Sequence, residues 1–171
     1  MKKLLLLLAA PSILFLASCG GKKEDASAAM PGMMEVNLKI NGNNISIMVP
    51  DSTKGKMEMT EQSWGATEIK VGANFQISIE EGAGDIPLTK SDIAGNEVNK
   101  FKRFIKDEPT LLFWESEITA PECHFYTIVK PGAVSYVVKD IAGDMFNEKA
   151  VQAMVDASKT LKAKEAAKPN S

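Results

Sequence analysis

Few side chains in this chain are suited to chemistry, and the first two stand together: the single histidine, His124, directly follows Cys123. Within reach of each other, a cysteine and a histidine make a nucleophile and its base. Neighbouring residues on a strand point to opposite faces, so this pair cannot share a proton directly. His124 therefore reads as a strand residue near a hairpin edge. Zinc is disfavoured on the same ground, since a tetrahedral site wants three or four Cys, His or carboxylate ligands and the two strongest here diverge. Nine methionines raise a copper reading, because thioethers suit Cu(I) and Met30, Met33, Met34, Met57 and Met59 recur at close spacing. Methionine also fills cores, and Met57 and Met59 share one strand face, so packing is the plainer expectation. Glu115, Glu117 and Glu122 are the scattered carboxylates available to an enzyme. Asp51, Ser52 and Thr53, or Asp140 with Asp144, offer oxygens to calcium but lack the ordered spacing of an EF-hand loop and read as turn and cap residues. The glycine-rich run Glu81-Gly82-Ala83-Gly84-Asp85 lacks the GKS/T ending of a phosphate cradle, and its carboxylates repel phosphate. Trp64, Trp114, Phe113, Phe125 and Tyr126 are the aromatics that could line a ligand groove.

The N-terminus carries an address. Lys2 and Lys3 precede an apolar run from Leu4 to Leu16, broken by Pro11 and too short for the roughly 20 residues of a spanning helix. Residues 1–18 read as a secretory signal. Leu16-Ala17-Ser18-Cys19 resembles the bacterial lipobox. That resemblance implies cleavage before Cys19, diacylation of its thiol with fatty acids such as palmitate, and acylation of the new amine. Two or three acyl chains hold a protein firmly where one is marginal. Residues 19–33, small and charged at their start, read as a lipidated flexible tether. The acidic pair Glu24-Asp25 after Lys22-Lys23 resembles the post-cysteine signal of Bacteroidetes surface lipoproteins. Gly20 lacks the aspartate that resembles an inner-membrane retention signal, so the outer membrane is favoured, on its periplasmic face or at the cell surface.

Removing residues 1–18 takes two lysines from 20 basic residues and leaves 18 against 22 acidic ones, a balance of about −4. Such a chain has no electrostatic footprint for nucleic acid. With Cys19 consumed by lipid, Cys123 has no intramolecular partner and is expected as a buried free thiol, or as an intermolecular link if exposed.

One α+β domain is expected over residues 34–162, followed by a frayed polar tail at 163–171. Residues 34–40 and 44–49 alternate around Asn41-Gly42-Asn43, a hairpin signature. Strands follow at 56–60, 65–71 and 74–80. Val98, Phe101 and Ile105 then recur at helical spacing, placing a first helix from about Asn96 to Asp107. Strands at 110–118, 123–129 and 134–141 come next, the last two joined by a type II turn with Pro131 and Gly132 at its centre. A final helix runs over 147–162. Asp92-Ile93-Ala94-Gly95-Asn96 and Asp140-Ile141-Ala142-Gly143-Asp144 are nearly the same, which points to one shared strand-to-helix turn rather than a duplication. An antiparallel sheet of six to seven strands results, with a helix between strand groups and a C-terminal helix packed on it. This element order resembles the PsbP/Mog1-like fold group, which implies a binding or assembly role and brings no catalytic motif.

The function expected from the sequence is that of a lipid-anchored, noncatalytic envelope protein with no cofactor, held at the membrane by its anchor and binding an envelope protein partner. The alternatives are a copper-handling lipoprotein and an envelope enzyme using the scattered carboxylates.

Overall fold

The computed structural model describes residues 31–164. The signal segment, Cys19, residues 20–30 of the tether and residues 165–171 of the tail lie outside the described residues. The chain opens with β1 (Met33–Ile40) and β2 (Asn43–Pro50), paired antiparallel so that Ile40 meets Asn43 across a two-residue loop. Asn41 and Gly42 both hold positive φ, 49° and 85°, as that tight turn demands. A meander of β3 (Met57–Glu61), β4 (Thr67–Val71) and β5 (Phe75–Glu81) follows, then helix α1 (Ile86–Gly95). Next come β6 (Lys100–Glu108), β7 (Leu111–Glu117), β8 (Pro121–Val129) and β9 (Tyr136–Asp140). Helix α2 (Glu148–Ser158) and the short β10 (Lys162–Ala163) complete the chain. Asn147 caps α2 by accepting from Ala150 N.

The fold is α+β, with all strand pairs antiparallel. Seven strands run in the order β3-β4-β5-β9-β8-β7-β6, and β1-β2-β10 form a separate small sheet. Alternation along the large sheet gives it two differently covered faces. One carries Ile77, Ile79, Phe113, Phe125 and Val138 into the main core, against Val151, Met154 and Val155 of α2 and the apolar side of the hairpin. The other carries Leu112, Trp114, Tyr126 and Ile128 towards Ile86 and Ile93 of α1. Among the described residues no helix is long and apolar enough to cross a membrane.

Several expectations change. The helix expected from Asn96 to Asp107 is instead strand β6, and the helix of this region is α1, earlier in the chain. Two register shifts in the β6–β7 ladder explain the false helical spacing. A bulge inserts a residue and resets which face the next side chain meets. Phe101 and Phe104, three apart, therefore both pack beside α1 with ring centroids 4.6 Å apart. Ile105 packs on the main core. Helix α1 begins because Asp85 accepts from Leu88 N and Pro87 suits the first turn; it buries only Ile86 and Ile93, a faint stripe. The near-identical pentapeptides do not share a turn either: Asp92 to Gly95 end α1, whereas Asp140 ends β9. Gly132 lacks the positive φ of a type II turn, and β9 starts only at Tyr136, so the 130–135 connection is wider than expected. Ala163, expected to open a frayed tail, pairs with Ile45, and Lys164 N donates to Asn44 O.

Methionines of the main core are packing material. Met154→Ala is expected to cost about 2–5 kcal/mol in denaturant unfolding, whereas Met59→Ala, at a half-exposed site, is expected to stay within about 0.5 kcal/mol.

Candidate functional site

The site originates in a length mismatch between neighbouring strands. β8 pairs with β9 only from Tyr126 to Val129, so residues 121–125 run on past the end of that ladder. Backbone N–H groups in that stretch need acceptors. Phe146 O accepts from Cys123 N at 2.7 Å, and Asp140 Oδ1 accepts from Phe125 N at 2.8 Å. The second oxygen of Asp140 is thereby aimed at His124, and Oδ2 lies 2.8 Å from Nδ1.

His124 sits on an interior strand, not at a hairpin edge, with its side chain 12% exposed. Two residues back along the same strand, and so on the same face, Glu122 brings Oε1 to 3.4 Å from Nε2. Asn99, in the connection between α1 and β6, brings its amide to 3.3 Å from Nε2. Trp114 on β7 lies directly across from His124, ring centroids 5.4 Å apart. Burial pulls the imidazole pKa down, but the Asp140 hydrogen bond and the charges of Asp140 and Glu122 outweigh it and hold the pKa above the ordinary histidine value.

These residues line a groove of about 470 Å³ on the α1 face of the sheet. Its floor holds Trp114, His124 and Tyr126. The 142–145 loop walls one side, and Ile118 and Met145 stand more than half exposed in its lining. Lys139 enters it paired to Glu80 at 2.9 Å. Tyr126 is fixed because its hydroxyl accepts from Asp85 N. Gly84 packs so close to Tyr126 and Ile128 that a Cβ there would fall 2.6 Å from Ile128 Cγ1.

The residues singled out from the sequence are scattered by comparison. Cys123 is buried in the main core, opposite His124, and burial pushes its thiol up to about 11. Glu115 pairs with Arg103, and Glu117 with Lys102. Alternation on β7 puts both carboxylates on the face away from Trp114, so they do not converge with Glu122. Asp51 caps a short 3-10 turn by accepting from Thr53 N, and Asp144 lines the groove without joining a cation cage. Phe113 and Phe125 belong to the core, Trp64 is exposed outside the groove, and only Trp114 and Tyr126 of the five aromatics carry their rings on the groove face. Met48 and Met154 are buried, and Met33, Met34 and Met57 pack against the core. Among the described residues no three Cys, His, Asp or Glu side chains gather as a metal set. Cys19, the expected lipidation site, lies outside the described residues.

Sequence reasoning missed the pairing of His124 with Asp140, residues 16 apart and joined only by the β8–β9 register. The i, i+2 relation of Glu122 and His124 was the one local signal.

Asp140 has two separable duties. Asp140→Ala leaves Phe125 N–H without an acceptor and is expected to destabilise by about 1–3 kcal/mol. Asp140→Asn keeps an oxygen for Phe125 but removes the charge, so it is expected to lower the His124 pKa in an NMR titration. Because that pKa is raised on folding, the stabilisation it reports is fully present below the unfolded value of about 6.5 and is lost as pH rises through the folded value. Unfolding free energies of the parent and Asp140→Asn chains should therefore differ most in acid and converge in alkali.

The chain matches no protein-family model, no curated protein and no solved structure.

Proposed function

We propose that this chain is a lipid-anchored envelope protein whose domain binds a partner protein through the groove on the α1 face, without catalysis of its own. The observation that carries the binding reading is the groove, where Ile118 and Met145 stay exposed beside an aromatic floor. Apolar side chains left in water around a recess mark contact surfaces. The groove is open rather than enclosed, and it suits an apolar side chain or loop presented by another protein. Dispersal of Glu115 and Glu117 to ion pairs on the other face favours binding over a carboxylate-based enzyme. The use of five methionines in or against the core disfavours a Cu(I) carrier.

Anchorage at Cys19 rests on the lipobox resemblance, and the outer membrane as its site on Gly20 in place of the retention aspartate. A domain fixed beside a membrane meets its partners at high local concentration, so a modest interface suffices. Resemblance of the element order to the PsbP/Mog1-like group also favours a binding role.

The test has two arms. Palmitate labelling in the native host is expected to mark the parent chain and to vanish in Cys19→Ala; labelling that persists removes the anchor. Cross-linking in intact cells is expected to trap one defined envelope protein, and Ile118→Asp with Met145→Asp should abolish that adduct while leaving the thermal melt unchanged. An adduct that survives both substitutions moves the contact away from the groove.

A further inference from the structure

Two buried acceptor atoms in the groove lining have no hydrogen-bond donor: Glu122 Oε1 and Asn99 Oδ1. Glu122 is only 5% exposed. Buried polar atoms are nearly always partnered, so an orphaned carboxylate oxygen beside an imidazole calls for a physical cause. Both side chains converge on His124 Nε2, Glu122 Oε1 at 3.4 Å and the Asn99 amide nitrogen at 3.3 Å.

The geometry points to a binding site for a divalent first-row transition-metal ion, held by His124 Nε2, Glu122 Oε1 and Asn99 Oδ1, with its remaining position open to the groove. Ligand atoms about 2.0–2.1 Å from a tetrahedral ion stand about 3.3–3.4 Å from one another, and those are the separations around Nε2. Rotating the Asn99 amide by a half-turn exchanges its nitrogen and oxygen and brings Oδ1 to face Nε2. Glu122 Oε1 is sealed from solvent. An ion approaches oxygen more closely than a water molecule does, so it fits between such atoms where water does not.

The outer partner is present as well. A metal-bound histidine almost always donates its other ring N–H to a carboxylate, which fixes the tautomer and orients the ring. Asp140 does this at Nδ1, and its other oxygen is itself held by Phe125 N. Imidazole, carboxylate and amide oxygen are nitrogen and oxygen donors of the kind that suit Zn²⁺ and its neighbours, not the soft Cu(I) of the methionine reading. A plain ion pair of imidazolium with Glu122 accounts for less. Its 3.4 Å separation is beyond ordinary N–H···O distances, so it leaves Glu122 Oε1 without a close donor.

This inference goes beyond partner binding and stands apart from it, since its three ligands sit beneath the rim residues that a partner would touch.

The test is titration of the detergent-solubilised, chelator-stripped lipoprotein with Zn²⁺ by calorimetry and with Co²⁺ by visible absorption. One ion per chain is expected, and the emission of Trp114, beside His124, should change to the same endpoint. Glu122→Gln and His124→Gln should each weaken binding at least about tenfold, and Asp140→Asn about 10–100-fold, as loss of an outer carboxylate does. The titration needs no partner protein, whereas the cross-linking reads only the partner, so failure of the ion site and failure of partner binding are distinguished. Should His124→Gln not fold, Glu122→Gln and Asn99→Ala decide the matter. Equal Zn²⁺ affinity in the parent and Glu122→Gln chains, or no binding by the parent, overturns the site; in the latter case a doubly protonated His124 in the NMR spectrum would leave the ion pair as the account.

Discussion

The site depends on one constraint: β8 is longer than the strand that should cover its edge. Once β9 ends at Asp140, the N–H groups of Cys123 and Phe125 have no ladder partner, and unpaired buried amides are costly. The carbonyl of Phe146 and the carboxylate of Asp140 take their place. Chain from 141 to 146 must therefore run alongside β8 rather than leave the sheet, and it walls the groove as it goes. The carboxylate has two oxygens and the amide consumes one. The other sets the orientation of His124, so a repair of backbone hydrogen bonding becomes the positioning of an imidazole.

Alternation on β8 then divides the work between two environments. Cys123, Phe125 and Thr127 turn towards α2, and in that apolar surrounding a thiol pKa near 11 makes Cys123 a small hydrophobe rather than a nucleophile. Glu122, His124 and Tyr126 turn towards the groove. Helix α1 covers only part of that face, over β6 and β7. The main core is closed more fully, because α2 and the β1–β2 hairpin lie over the same side of the sheet and β10 ties the chain end back to β2. The well-covered face holds the domain together, and the half-covered face is left for recognition.

What could be read from the sequence followed the range of the interaction. The Asn41-Gly42 hairpin, the alternating strands and the Asn147-capped α2 are local patterns, and local chemistry specified them. Opposite facing of Cys123 and His124 needed only the pleat. Strand β6 failed because bulges opposite β7 shift the phase of its side chains, and a bulge is a property of a pair of strands. Helix α1 was faint because its face is covered by few apolar groups. The groove was invisible because Asn99, the Glu122 and His124 pair of β8, and Asp140 come from separate elements brought together by register.

The near-repeat of Asp-Ile-Ala-Gly shows how little such a segment decides by itself. Before the first copy stand Asp85 and Pro87, a cap and a first-turn residue, and the helix they start carries Asp92 onto an exposed surface. Before the second stand Tyr136, Val137 and Val138, buried between β5 and β8, and the strand they form delivers Asp140 to the unmatched edge. One aspartate is a solvated helix residue and the other anchors a histidine, though their immediate successors agree. Each side chain takes its chemistry from the few residues before it, which choose helix or strand. The strand's partners then determine whether its terminal carboxylate meets water or an imidazole.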